Sequence, residues 1–188
     1  MDGHFETIGD TPERIERPPR PPHPASLDDQ TILAECRIER GRIGGPGGQH
    51  RNKVETAVTL THTPTGLSAQ AGERRSPKDN QRMALRRLRL ELATHVRLGV
   101  PDGEVRSDLW LTRTKDGKIA VSDRHRDFPT MLAEAMDVLW AARMDVRRAA
   151  ARLGVSRTQL VRLIGKHPAA LGAMNQARVR RKLRPLHP

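Results

Sequence analysis

Apolar and polar positions change their spacing several times along this chain, and each change predicts an element. Cys36–Arg42 alternates as a strand does, and Lys53–His62 alternates again, with Val54, Thr56, Val58 and Leu60 on one side. Thr63-Pro64-Thr65-Gly66 carries a turn signal and Leu67–Ala71 resumes as a strand, so the two runs predict a hairpin. The period then lengthens to that of a helix. Ala84, Leu85, Leu88, Leu92 and Val96 form an apolar stripe behind Ser76 as N-cap, Pro77 in the first turn and Asp79 one step later. Arg82, Arg86, Arg89 and Arg97 fall largely off that stripe, which predicts a helix lying on a small sheet with a basic outer face. Gly99, Pro101 and Gly103 close the unit.

Val105–Thr112 and Lys118–Ser122 read as two strands around the tight turn Lys115-Asp116-Gly117. Asp127 and Pro129 introduce a helix to about Arg143, with Leu132, Met136, Leu139 and Trp140 apolar. Residues 145–166 divide into two short helices at Gly154-Val155, with Ser156 capping the second. Val146, Ala149, Ala150 and Leu153 supply one inner face, and Leu160, Leu163 and Ile164 the other. The pair resembles a helix-turn-helix with Arg157, Gln159 and Arg162 facing outward. It either binds nucleic acid, packs against the first unit or contacts a protein. Upstream, Pro12 and the prolines from Pro18 to Pro24 predict a loose lead-in, and Leu27–Ala34 a short helix or turn.

The expected fold class is α+β. A small, mostly antiparallel sheet is packed by the basic-faced helix, followed by a C-terminal hairpin and a helical extension. The expected segments are a flexible lead-in at 1–26, a first unit at 27–99, an extension at 104–168 and a basic tail at 169–188. The tail carries Arg178, Arg180, Arg181, Lys182 and Arg184.

Composition narrows the partner. Hydrophobic residues make up 36% of the chain and aromatics 2%, so Leu, Val, Ile, Ala and Met must build a thin core. The formal net charge is +12, yet residues 1–35 hold eight acidic and three basic groups. The positive charge therefore belongs to the patterned part of the chain, which points to a polyanion, nucleic acid first. The single cysteine, Cys36, excludes an intrachain disulfide and a cysteine metal cluster, and in a strand it reads as a small buried residue. No run approaches transmembrane length and the start is not a secretory signal, so a cytoplasmic protein without membrane association is expected.

The chemistry concentrates in Gly44-Gly45-Pro46-Gly47-Gly48-Gln49, followed at once by His50, Arg51 and Lys53. Glycines allow backbone to approach a crowded partner without Cβ clashes. A glutamine does not titrate near neutrality, so Gln49 is a poor general acid or base. Its side chain accepts and donates hydrogen bonds, and its backbone N–H can serve an oxyanion. These properties suit the positioning of water at an ester. The run lacks the spacing of a nucleotide-binding phosphate loop. From the residues alone, a flexible glycine hinge stays open beside the catalytic reading.

Gly45-Pro46-Gly47-Gly48-Gln49-His50-Arg51-Asn52-Lys53-Val54-Glu55-Thr56 resembles the catalytic domain of bacterial class I peptide-chain release factors and their short ribosome-rescue relatives. The resemblance continues through Thr61–Gly66, Gln70, Arg75-Ser76 and Asn80, spanning roughly residues 36–96. It implies a peptidyl-tRNA ester hydrolase that acts in the peptidyl-transferase centre of the large ribosomal subunit. Gly47 and Gly48 would place Gln49, whose N–H would stabilise the tetrahedral oxyanion while its side chain limits access to small nucleophiles. Water is the nucleophile, and no metal or cofactor is implied. The implied partners are the ribosome, its RNA and P-site peptidyl-tRNA, with the mRNA channel or a helper rescue factor beside them, and the protein is expected to be a monomer.

Arg42, Arg51, Lys53, Arg75, Arg82 and Arg86, with the five basic residues of the tail, are the expected RNA contacts. Gly45, Pro46, Asn52 and Asn80 are the expected loop supports. Asn52 either holds the loop base or stabilises an ordinary turn. Arg75 either binds RNA or braces the loop. Asn80 is either exposed or bridges helix to loop. Ile43 and Gly44 replace the small polar residues usual in the family, Gly72-Glu73-Arg74 replaces a glutamine-acidic pair, and Pro77 replaces a glutamine. Residues 1–35 are too short for the domains that read a stop codon in full release factors. The expectation is therefore rescue of stalled ribosomes, with two alternatives: stop-codon-dependent release with a helper factor, and a non-catalytic nucleic-acid-binding protein using the 145–166 pair.

Overall fold

The sheet forms where the alternation places it. In the computed structural model, which describes residues 22–41 and 56–188, β1 (Cys36–Gly41), β2 (Ala57–His62) and β3 (Ser68–Ala71) pair antiparallel in that order. Cys36 pairs with His62 and Gly41 with Ala57, while Val58 pairs with Ala71 and Thr61 with Ser68. Gly66, at φ +72°, closes the β2–β3 turn, and its N–H donates to His62 O at 2.8 Å. The alternation predicts one inner face for β2: Val58 and Leu60 are buried on it, His62 continues that face, and Ala57 on the other face is buried as well. His62 tolerates burial because both ring nitrogens have partners, Glu35 Oε2 at 2.9 Å and Thr65 Oγ1 at 2.8 Å.

Short α1 (Asp29–Ala34) begins at Asp28, whose Oδ1 accepts from Gln30 N and Thr31 N. Long α2 (Pro77–His95) begins at Ser76, whose Oγ accepts from Asp79 N at 3.4 Å. The stripe buries Ala84, Leu85, Leu88 and Leu92, packing α2 on β2 and β3 from one side and on the helix Phe128–Ala141 from another. Each fully buried leucine contributes about 1.5–3 kcal/mol through area removed from water.

Residues 22–26, expected within the loose lead-in, are packed instead. Ala25 is fully buried in a 3-10 turn at Pro24–Ser26, and Arg89 donates to Ala25 O and Asp29 Oδ1, both at 2.8 Å. The rest of that expected segment, residues 1–21, lies outside the described residues.

The expected strand Val105–Thr112 is a correction. Its second half forms α3 (Asp108–Arg113), because Ser107 Oγ caps Trp110 N at 3.0 Å and Asp108 sits in the first turn. Trp110 is fully buried, and its Nε1–H donates to Leu153 O at 2.9 Å, 43 residues away. The hairpin shrinks to β4 (Thr114–Lys115) and β5 (Lys118–Ile119), around a turn with Asp116 at φ 50° and Gly117 at φ 71°. The turn signal is thus matched while the flanking strands are two residues each. Trp110→Phe keeps most of the buried area and leaves Leu153 O without its donor. It is expected to cost about 1–2 kcal/mol, read as a shift in the denaturant midpoint with unchanged slope.

Four helices complete the chain: α4 (Phe128–Ala141), α5 (Val146–Arg152), α6 (Arg157–Gly165) and α7 (Pro168–Arg180). Helix α4 is buried on most sides, but Trp140, one of its apolar positions, is 43% exposed and covered by Arg181, 4.7 Å from the ring centroid. Asp137 of α4 joins the two halves: its Oδ1 accepts from Arg97 and from Leu98 N, each at 3.1 Å. Burial lowers the Arg97 pKa, and Asp137 opposes that shift.

The α5–α6 pair turns at Gly154, φ +65°, and Ser156 caps α6 as the sequence predicts. Gln159 does not face outward: its Oε1 accepts from Ile119 N at 3.3 Å, so it packs on the small hairpin. Residues 169–188, expected as a tail, are mostly helix α7, which contacts α2 and α6. Among the described residues no helix is long and apolar enough to cross a membrane.

Candidate loop-bearing site

Gly41 and Ala57 form the last cross-strand pair between β1 and β2. The connection between them therefore leaves and re-enters the sheet at one end. Residues 42–55 carry Arg42, Gly45, Pro46, Gly47, Gly48, Gln49, Arg51, Asn52 and Lys53, and they lie outside the described residues. The described residues on either side of them form a frame.

Asn80 is the centre of that frame. It is fully buried near the start of α2. Its Nδ2 donates to Thr56 O at 2.6 Å and to Arg74 O at 2.8 Å, and its Oδ1 accepts from Arg74 N at 2.8 Å. One side chain thus joins α2, the returning foot of the connection and the β3–α2 segment. Of the two expectations for Asn80, bridging is the one observed. An amide is suited to this place because it offers donors and an acceptor without charge.

The β3–α2 segment is braced from its other end. Glu73 Oε2 accepts from Gly72 N at 2.7 Å, and Arg87 binds both Glu73 and Gln70 O, the latter at 2.6 Å. The Gly72 N–H, together with Arg87, lowers the Glu73 pKa. The departure Gly72-Glu73-Arg74 thus has a structural role here. Arg75 is exposed beside Arg74, within the segment that Asn80 ties to Thr56.

Arg82 and Arg86 lie elsewhere. At about 100° per residue they project roughly 200° and 240° around α2 from Asn80. They line a shallow depression of about 550 Å³ together with Arg89, Arg126, Asp29 and Asp127. Arg86 donates to Asp123 O at 2.5 Å and Arg82 meets Asp79 at 3.3 Å. Burial would raise the Asp127 pKa, but Arg113, His125 and Arg126 hold it below the usual range, so its charge balances the arginines. The expected RNA contacts on α2 therefore do not gather at the foot of the connection.

The basic residues of 178–184 also divide. Arg178 turns inward, donating to Met144 O and, at 2.8 Å, to Arg184 O. Arg181 covers Trp140, whereas Arg180, Lys182 and Arg184 are exposed. Cys36 is half-buried, and burial with the nearby Glu35 charge raises its pKa, which keeps the thiol protonated and poorly nucleophilic.

Sequence reasoning did not single out Glu73–Arg87 or Asp137–Arg97. An acidic residue at a helix edge or in a loop gives no local sign of its distant partner. The only usable signal was Asp137 on the most apolar face of α4.

An antiparallel sheet backed by a helix, with the glycine-rich sequence running between two of its strands and Asn80 tied to Thr56 at the re-entry, is the frame of the site. The chain belongs to the RF-1 domain family, whose model matches residues 30–128. The match ends at the first residue of α4, so α5, α6 and α7 fall outside it. The chain is 40% identical over 74 residues to peptide chain release factor 1 of Symbiobacterium thermophilum, covering 39% of this chain and 21% of that protein. It is 42% identical over 71 residues to the mitochondrial peptide chain release factor 1 of Bos taurus, covering 38% and 16%. A longer match, 33% identical over 108 residues, covers 57% of this chain and 30% of peptide chain release factor 1 of Chloroherpeton thalassium. The chain thus spans less than a third of the length of these relatives.

Proposed function

We propose that the protein hydrolyses the peptidyl-tRNA ester on the ribosome, releasing the nascent peptide. The carrying observation is the placement of the Gly47-Gly48-Gln49 sequence between the paired ends Gly41 and Ala57, inside the segment that matches the RF-1 family. Water attacks the ester carbonyl, a tetrahedral oxyanion forms, and the bond to the tRNA ribose oxygen breaks. That oxygen leaves with one proton of the water, the peptide leaves as a carboxylate, and the second proton is released to solvent. Gln49 contributes its backbone N–H to the oxyanion and its side chain to the selection of water. Asn80 holds Thr56 O where the chain re-enters the sheet, which supports a role for it in positioning Gln49.

The matched relatives are peptide chain release factors 1 and 2, which favours release at a stop codon, with a helper factor reading the codon, over rescue of stalled ribosomes. The packing of α7 and the inward turn of Arg178 also speak against 169–188 acting as a free probe of an empty mRNA channel.

The test is a peptide-release assay on ribosomes carrying labelled peptidyl-tRNA, with stop, sense or empty A sites. Release at stop codons is expected when an extract depleted of its own release factors supplies the helper, and not with that extract alone. Release at empty sites alone would move the assignment to rescue. Absence of release on all three, with extract present, would remove the hydrolase reading.

A further inference from the structure

Four arginines that the fold does not use converge on one cleft. Arg143, Arg147, Arg148 and Arg157 line a cavity of about 720 Å³ between the start of α5, the start of α6 and residues 183–188. All four are exposed, and among the described residues none makes a side-chain hydrogen bond or ion pair. One acid, Asp145, shares the cleft, and its Oδ1 is occupied in capping α5, accepting from Arg147 N at 2.9 Å and Arg148 N at 3.1 Å. Like charges gathered on one rim repel one another and create a field that favours a polyanion.

The cleft is preformed. Its outer wall is held by Asn175, which accepts from Leu186 N at 2.9 Å and donates to Leu186 O at 3.0 Å. Pro188 lies so close to Gly165 that a Cβ there would come within 2.6 Å of the proline Cβ. The floor is aliphatic, with Val146, Val161 and Leu186 among its residues. A basic rim over an apolar floor suits a nucleotide strand, with phosphates on the arginines and a base against the floor or a guanidinium plane.

Shape separates this from reading of duplex DNA. A helix-turn-helix presents its second helix as a projecting element that enters a groove. Here Gln159 of α6 and Lys166 at its C-cap are occupied by Ile119 N and Val121 O, and the free arginines border a concavity. We propose that this cleft binds single-stranded RNA through its phosphodiester backbone. The choice of RNA over single-stranded DNA rests on the release reading above; the cleft itself does not.

The test uses the full chain and no ribosomes, so its failure is separable from failure of peptide release. Fluorescence anisotropy follows a labelled oligouridylate, the matching deoxyoligonucleotide and a DNA duplex across a salt series. The combined variant Arg147→Gln, Arg148→Gln, Arg157→Gln is expected to bind the RNA at least about tenfold more weakly. Its plot of log K against log salt should be shallower by about 2, since each single-strand phosphate contact contributes about 0.7. Lysine at the same three positions should restore the slope, because a phosphate accepts a point charge. A melting curve equal to wild type shows that the fold is intact. Arg124→Gln, an exposed arginine outside the cleft, should leave affinity and slope unchanged. Unchanged RNA binding in the triple variant overturns the proposal. So does an equal loss from Arg162→Gln alone, or tighter binding of the duplex than of the single strand. Equal binding of the deoxyoligonucleotide overturns the choice of RNA.

Discussion

Gln49→Pro is expected to slow peptide release by about 100- to 1000-fold while leaving ribosome affinity nearly unchanged. The substitution deletes the backbone N–H assigned to the oxyanion. Removing one such donor removes about 2.7–4 kcal/mol of transition-state stabilisation, because the charge develops in a site where water cannot replace the donor. Gln49→Ala provides the contrast. It keeps the N–H and removes the side-chain amide, so a smaller loss of rate is expected, together with a loss of nucleophile selection. The measurement is single-turnover release with increasing hydroxylamine: the alanine variant should yield more hydroxamate relative to acid than wild type. Gln49→Gly separates the absence of a side chain from the fixed φ that proline imposes. A proline variant that releases peptide at the wild-type rate would remove the backbone amide from the mechanism.

The elements legible in the sequence are those whose determinants are local. Ser76, Pro77 and Asp79 announce α2, and the spacing of Ala84, Leu88 and Leu92 sets its inner face. Pro64 and Gly66 announce the β2–β3 turn in the same way. Val105, Ser107, Leu109 and Leu111 alternate well enough to imitate a strand. Helix α3 forms because Ser107 caps it and because Trp110 reaches Leu153 O across the fold. Gln159 meets the small hairpin instead of solvent for a related reason. Period assigns a face to a helix, but the neighbour that occupies the face decides whether it is covered. At the site, the residue types around Gln49 carried the chemistry, and the clamp at Asn80 became specific only through Thr56 and Arg74. The arginine cleft had no local signal at all, since its walls come from three separated segments.

Asn80→Ala is expected to destabilise the protein by about 2–4 kcal/mol, because three hydrogen bonds of a fully buried side chain are lost together. Arg74 N and the carbonyls of Thr56 and Arg74 lose their amide partner, and each buried group left unsatisfied costs about 1–3 kcal/mol before relaxation. The sum is reduced because Arg74 is exposed and water reaches part of the segment. Asn80→Asp discriminates further. It keeps an acceptor for Arg74 N, loses both donors and turns oxygen toward two carbonyls, so it should be no milder than alanine. The functional effect should exceed what the unfolded fraction explains. At a temperature where both proteins are fully folded, the alanine variant should release peptide more slowly at saturating ribosomes, with ribosome binding little changed. Such a split is the signature of a misplaced loop, since a catalytic group displaced by about 1 Å can lose about 100-fold in rate. An Asn80→Ala protein that melts with wild type and releases peptide at the wild-type rate would show that the foot of the connection is set by the Gly41–Ala57 pairing alone.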